Sequence, residues 1–268
     1  MTLFLFLLLV AVAVGFLGSM LGVGGGILIV PLLTVVLDVP VKTAIGTSLV
    51  CVVVTSSASQ IVYAGRGITN PRLGMALEVT TTIGALAGAF AALVLDRRVL
   101  FLTFAAVLLY LAVSMGREPR PRSAAAGGGR LPARFVDPAT GDEVAYGVHN
   151  MGWGLAGSLV AGNVSGLLGV GGGVIKVPLM NLAMGVPLKA AIATSNLMIG
   201  VTAATGALVF FTHGFVEPRL AVPTVLGVIV GAQIGSRLAG KVPVAVLRRL
   251  FQVLAVVLAV QMAWKGLT

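Results

Sequence analysis

Charge, cysteine and histidine are all scarce in this 268-residue chain, and each shortage removes a class of function. Only 10% of the residues are charged, against roughly 25% in an ordinary soluble domain. The single cysteine, Cys51, excludes an intrachain disulfide and a cysteine-rich metal site, and it reads as a small apolar packing residue. Two histidines and eight acidic residues show no Ser/His/Asp or His/Glu metal spacing, so catalysis has no constellation to act through. No enzyme activity, metal or other cofactor is expected. The net charge of +10 suggests nucleic acid at first sight, but the basic residues lie in short loops between apolar runs, not on a soluble face beside aromatics. No nucleic-acid partner is expected.

What the chain has in abundance is apolar length. Hydrophobic residues make up 58% of it, and the mean hydropathy is +1.08. Residues 2–21, 43–64, 73–95, 99–115, 151–168, 189–211, 220–240 and 246–264 each approach the roughly 18–20 near-uncharged residues that a helical span needs. These predict an all-α polytopic protein whose environment is the lipid bilayer. The first 21 residues imitate a signal peptide, yet they lack a basic leading segment and belong to the repeat described next, so they read as a retained first helix.

One offset aligns the chain with itself. Gly22-Val23-Gly24-Gly25-Gly26 recurs 147 residues on as Gly169-Val170-Gly171-Gly172-Gly173. At the same offset Pro31 meets Pro178, Pro40 meets Pro187, Lys42 meets Lys189, Thr47-Ser48 meets Thr194-Ser195, Thr55 meets Thr202, and Gly84 and Gly88 meet Gly231 and Gly235. The reading is two homologous transmembrane repeats, 1–115 and 150–268, joined by a basic linker, 116–149. Within the linker, two short alternating runs flank Asp137-Pro138-Ala139-Thr140-Gly141 and predict a small hairpin.

Each repeat holds four full spans and, after its glycines, an apolar piece of 11 residues (27–37 and 174–184) too short to span alone. An extended pentad preceding that piece would bring the pair to roughly 30 Å, making a fifth, broken crossing. Basic residues test the count. With five crossings per half, Arg66, Arg72, Arg117, Arg120, Arg122, Arg130, Arg134, Lys189, Arg237, Lys241, Arg248 and Arg249 share one side. Lys42, Arg97, Arg98, Arg219 and Lys265 share the other, a division of 12 against 5. With four crossings the same residues divide 8 against 9. The tendency of basic loops to stay in the cytoplasm therefore favours five, an inverted pair of repeats, and a cytoplasmic linker.

Three features carry candidate chemistry. Consecutive glycines unwind a helix, because each costs about 1 kcal/mol relative to alanine. Unwound backbone at membrane depth is tolerated only inside protein or along a watery cavity. Gly24, Gly25, Gly26, Gly171, Gly172 and Gly173 are thus candidate substrate-binding residues whose free N–H groups suit an anion; the alternative is close helix packing, which fits Gly84/Gly88 and Gly231/Gly235 well. The paired Pro-x-Lys-x-Ala-x-x-Thr-Ser stretches add the hydroxyls of Thr47, Ser48, Thr194 and Ser195, with the amide of Asn196 in the second half only; such hydroxyls either bind a ligand or bond to the i−4 carbonyl. Finally, Lys176 stands where the first repeat has Ile29, and Glu78 where the second has Val225. Lys176 either contributes charge to an anion site or snorkels, and Glu78 either carries a coupling proton or pairs with a basic residue.

On these motifs the chain resembles the TauE/SafE family of sulfite exporters, the TSUP permeases. The resemblance covers nearly the whole chain: Gly-x-Gly-Gly-Gly followed by Pro31 and Pro178, then Pro-x-Lys-x-Ala, then Thr-Ser, in both halves. The stretch from Gly169 to Gly200 and the hairpin ending at Tyr146 look similar to one bacterial branch. The resemblance implies a permease of the bacterial inner membrane, moving a small anion such as sulfite or sulfoacetate by alternating access, coupled to the proton gradient. Rival readings are a membrane scaffold or assembly protein and an anion channel without coupled transport. The sequence leaves a homo-oligomer open.

Overall fold

Proline and glycine set nearly every helix boundary. The computed structural model describes residues 2–116, 129–137, 141–239 and 244–267. The first half comprises α1 (Thr2–Leu21), the short α2 (Gly26–Pro31), α3 (Val41–Gly65), α4 (Pro71–Val94) and α5 (Arg97–Gly116). A hairpin of β1 (Arg130–Val136) and β2 (Glu143–Val148) leads to α6 (Met151–Leu168), the short α7 (Gly173–Pro178), α8 (Leu188–Thr212), α9 (Pro218–Leu238) and α10 (Val244–Leu267). Pro71 and Pro218 begin α4 and α9, where the missing N–H costs nothing, and the Asn70 side chain accepts from the Leu73 N–H at 3.1 Å. Pro31 and Pro178 fall instead inside a helix, and there the chain widens into π-helical turns, Leu32–Val36 and Leu179–Ala183. A proline ring clashes with the carbonyl four residues back, and the wider turn relieves it.

Six helices, α1, α3, α4, α5, α8 and α9, are long and apolar enough to cross a membrane among the described residues. The expected spans at 151–168 and 246–264 are helices as well, α6 with 18 residues and α10 with 24. Large apolar side chains such as Val94, Ile61, Val79, Trp153 and Phe211 are exposed, as a lipid-facing surface requires. The linker arginines Arg117, Arg120 and Arg122, together with Lys241, lie outside the described residues.

The helices pack in pairs: α1 along α9, α4 along α6, α5 along α10 and α3 along α8. Glycine makes two of these contacts backbone to backbone. A Cβ on Gly88 would lie 2.0 Å from the Asn163 carbonyl oxygen, and one on Gly231 would lie 2.0 Å from that of Val12. Gly84/Gly88 and Gly231/Gly235 are therefore packing residues, as small-xxx-small spacing suggested.

Ion pairs and side-chain bonds mark the two ends of the bundle. At one, Lys265 donates to Asp38 Oδ1 at 2.5 Å and to the Thr34 carbonyl, and Lys42 donates to the Leu93 carbonyl at 2.6 Å. The Lys265 ammonium holds the Asp38 carboxyl below its usual range. At the other, Arg66 donates to the Arg237 carbonyl at 3.0 Å and Lys189 to Asp137 at 2.5 Å. The hairpin docks here too. Its Tyr146 hydroxyl accepts from Asn70 Nδ2 at 3.3 Å, its Phe135 and Tyr146 rings meet edge to face, and burial pushes the Tyr146 phenol upward in pKa.

Candidate functional site

Left-handed backbone at matching places breaks each half. Gly22, Gly24 and Gly25 have φ of 68°, 80° and 78°, and Gly169, Gly171 and Gly172 have 73°, 85° and 74°. Residues with a Cβ rarely adopt these angles, which is why the pentads need glycine. The expected extended segment is instead a tight reversal. Gly25 returns beside α1, so close that a Cβ on Gly18 would lie 2.4 Å from its nitrogen. The short helix then starts at Gly26 and runs back along the bundle.

The two reversals meet each other. A Cβ on Gly26 would lie 2.3 Å from the Gly169 carbonyl oxygen, and one on Gly173 2.1 Å from that of Gly22. Gly24 and Gly171 both face Val52 and Ile199 from the crossing α3 and α8. All ten pentad residues are buried. The amides of Gly25, Gly26 and Ile27, and of Gly172, Gly173 and Val174, make no hydrogen bond among the described residues; bonding resumes with Leu28 to Gly25 and Ile175 to Gly172. These are the donors that any helix start leaves over.

The hydroxyls singled out in the sequence divide into three groups. Ser48 Oγ lies 2.8 Å from the Gly169 carbonyl and 3.3 Å from that of Gly26, while Ser195 Oγ donates to the Gly22 carbonyl at 3.3 Å. Each serine thus ties its helix to the reversal of the other half. Thr194 Oγ1 accepts from the Asn70 N–H at 3.0 Å, beside the docked hairpin. Thr47 Oγ1 and Asn196 Oδ1 are buried without a hydrogen-bond partner, although Asn196 Nδ2 donates to the Ile192 carbonyl at 3.1 Å. Replacing Ser48 with alanine is expected to cost about 1 kcal/mol of stability. Replacing Thr47 with valine should cost nothing or stabilise, because it removes an unsatisfied hydroxyl. Thermal unfolding of the two variants in detergent checks the contrast.

Lys176 and Glu78, noticed separately, lie together. Lys176 Nζ donates to Thr202 Oγ1 at 2.7 Å and stands 3.7 Å from Glu78 Oε2; Thr202 Oγ1 in turn lies 2.7 Å from Glu78 Oε1 and 2.9 Å from the Met198 carbonyl. The lysine side chain is 1% exposed and the glutamate side chain 12%. Glu78 also accepts from Thr82 at 3.4 Å. Thr202 is the residue that sequence reasoning passed over. It appeared only as the repeat partner of Thr55, and its spacing of four from Met198 gave no sign that it bridges two charges. Among the described residues no group of histidine, cysteine and carboxylates is placed to hold a metal ion.

Long apolar helices, backbone broken by glycine at membrane depth and a charge pair buried beside one break define a multi-pass helical membrane protein of the transporter class. The chain belongs to the sulfite exporter TauE/SafE family, whose model matches residues 7–262. It is 26% identical to the probable membrane transporter protein YunE of Bacillus subtilis over 98% of both chains. It is 29% identical to a probable membrane transporter protein of Xylella fastidiosa (strain Temecula1) over 94% of this chain and 92% of that one. A probable membrane transporter protein of the archaeon Methanocaldococcus jannaschii, MJ0441, is 25% identical over 88% of this chain and 86% of its own length. No solved structure matches the chain.

Proposed function

We propose that the protein is a secondary transporter of a small anion, a sulfur oxyanion or organosulfonate such as sulfite or sulfoacetate, working by alternating access in a bacterial inner membrane. The observation that carries this reading is the meeting of two glycine reversals in the middle of the bundle, each with unpaired amides and each held by a serine from the opposite half. Free N–H groups in a water-poor site favour a negative guest. Gly25, Gly26, Gly171, Gly172 and Gly173 supply them, whereas the Gly24 amide, expected to join them, donates to the Gly18 carbonyl at 3.3 Å. Thr47 offers an unpartnered hydroxyl and Asn196 the second N–H of its amide, Ser48, Thr194 and Ser195 stand in the adjoining turns, and Lys176 provides the cation.

Alternating access follows from two inverted repeats rocking about the shared reversals. The course of the helices supports inversion: Arg66, just before α4 begins, bonds the Arg237 carbonyl near the end of α9, so these repeat partners run in opposite directions, while α1 lies on α9 as α6 lies on α4 and α3/α8 and α5/α10 pair with each other. So does the distribution of charge between the ends. Arg66, Arg237, Lys189 and the hairpin share one end, and Lys42 and Lys265 the other, as five crossings per half require. A reporter fused after Lys265 is expected on the outer face, and cytoplasmic activity of that fusion would refute the inverted arrangement.

Purified protein in proteoliposomes should show saturable uptake of sulfite or sulfoacetate that a second anion competes for. The tight contact of Gly26 with the Gly169 carbonyl favours one other reading, a scaffold in which the glycines only pack helices. That reading expects no flux of any anion. An ohmic, non-saturating conductance would indicate a channel instead.

A further inference from the structure

The cluster of Lys176, Thr202 and Glu78 has features that anion binding alone leaves unexplained, and the role they point to rests on the anion-carrier reading. Three elements bring it together, α7, α8 and α4. Among the described residues no other charge shares its neighbourhood: α3, which packs along α8, carries only Lys42, held at one bundle end by the Leu93 carbonyl. α6, which packs along α4, carries none; the one further charge on α8 is Lys189, held at the bundle end by Asp137; the one further charge on α4 is Arg72, which is exposed in its first turn. The electrostatic balance of the site is therefore one cation and one anion.

The pair is also loosely made. The lysine donates directly to the threonine hydroxyl, not to the carboxylate, and Glu78 Oε2 is buried with no hydrogen-bond partner. The Thr202 hydroxyl has a single hydrogen and two acceptors, Glu78 Oε1 at 2.7 Å and the Met198 carbonyl at 2.9 Å. It can release the carboxylate and keep a bond. Lys176 lies three residues past Gly173, so the cation and the free amides sit on one short segment.

We propose that a transported anion replaces the Glu78 carboxylate as the partner of Lys176, and that the released carboxylate takes one proton from the same side, so that anion and proton cross together. With a monoanion the site is neutral in both states. Empty, it holds Lys176 ammonium and Glu78 carboxylate; loaded, it holds Lys176 ammonium, the anion and the Glu78 carboxylic acid, with Thr202 turned to the Met198 carbonyl. A second anion added without the proton would leave a net negative charge out of water, which is costly. The opposite half has Ile29 and Val225 at the equivalent positions, so one element serves the whole carrier.

The test uses methanesulfonate, an organosulfonate with a single fixed negative charge, in proteoliposomes loaded with a pH-sensitive dye, with sulfite flux measured in parallel. In the wild-type protein an inward methanesulfonate gradient is expected to acidify the lumen. Apparent affinity should weaken as pH rises, by up to about tenfold per unit, because binding takes up a proton. Glu78→Gln alone is a poor probe, since a lone buried ammonium sheds its proton and lysine then does the carrying. Lys176→Arg with Glu78→Gln keeps a fixed cation and removes both carriers. That variant should bind methanesulfonate with a flat pH profile and move it with net current and no protons. Lys176→Met with Glu78→Gln, which buries no charge and so keeps the fold, should lose flux at least tenfold. Wild-type flux without acidification, or continued proton movement in either double variant, overturns the coupling while the carrier reading stands. Failure of both anions to move in the wild type overturns the carrier reading, and the coupling with it.

Discussion

Valine at Gly26 or Gly173 is expected to abolish folded protein. The added Cβ would stand 2.3 Å from the Gly169 carbonyl oxygen in the first case and 2.1 Å from the Gly22 carbonyl oxygen in the second, well inside van der Waals contact. Overpacking in a relaxing core costs about 1–3 kcal/mol, but that figure assumes side chains that can move aside. Here the obstructing atoms are backbone of the opposing reversal, itself fixed by left-handed glycines and by Ser48 or Ser195. Val52 and the Ser48 hydroxyl close the remaining space around Gly26, at 2.6 Å and 3.0 Å. The cost should therefore exceed that range and approach the whole stability of the protein. Gly152→Ala provides the contrast: nothing lies within 4 Å of its Cβ, and it sits within a helix, so alanine should stabilise by about 0.5–1 kcal/mol. Size-exclusion profiles and thermal unfolding of the variants in detergent decide the point. Monodisperse Gly26→Val protein with unchanged melting would mean that the two halves do not meet at their glycines.

How much of this was legible in the sequence differs from element to element for physical reasons. Helix boundaries were readable because local chemistry sets them. The run predicted at 2–21 is α1, and that at 189–211 is α8 within a residue of each end, since Gly22, Pro187 and the turn at Gly214 stop a helix wherever they fall. The hairpin was readable from its alternation. The reversal at each pentad was only half readable: three glycines announce a break, yet glycine permits both extended and left-handed backbone, and contact with Gly18 and the other pentad selects between them. Side-chain partners were the least accessible. Ser48 and Ser195 stood out as hydroxyls beside the breaks, but their acceptors, the Gly169 and Gly22 carbonyls, lie more than a hundred residues away in sequence. Lys176 and Glu78 each stood out because a charge in an apolar span is costly, and the repeat offset showed that each was unmatched. That one cost offsets the other depends on α4, α7 and α8 converging, which no local pattern encodes.

That convergence leads to a second large effect. Lys176→Met is expected to destabilise the protein by about 3–5 kcal/mol, because it leaves the Glu78 carboxylate largely enclosed without its cation. The loss should depend on pH with a definite sign. In acid, Glu78 can go neutral and sit against the Thr202 hydroxyl at little cost; as pH rises, the unpaired carboxylate must either stay protonated against the solution or carry its charge into the bundle, so the deficit grows. Adding Glu78→Gln to Lys176→Met should recover most of the loss, since a neutral amide keeps the threonine as a partner and no charge remains to be compensated. The two substitutions are thus expected to be strongly non-additive, by more than the ~0.3–0.5 kcal/mol scatter of independent sites. Reversible unfolding of the wild type, both single variants and the double variant, at two pH values, measures the coupling directly. Simple additivity would show that lysine and glutamate are neighbours without being partners, held near each other by helix packing alone.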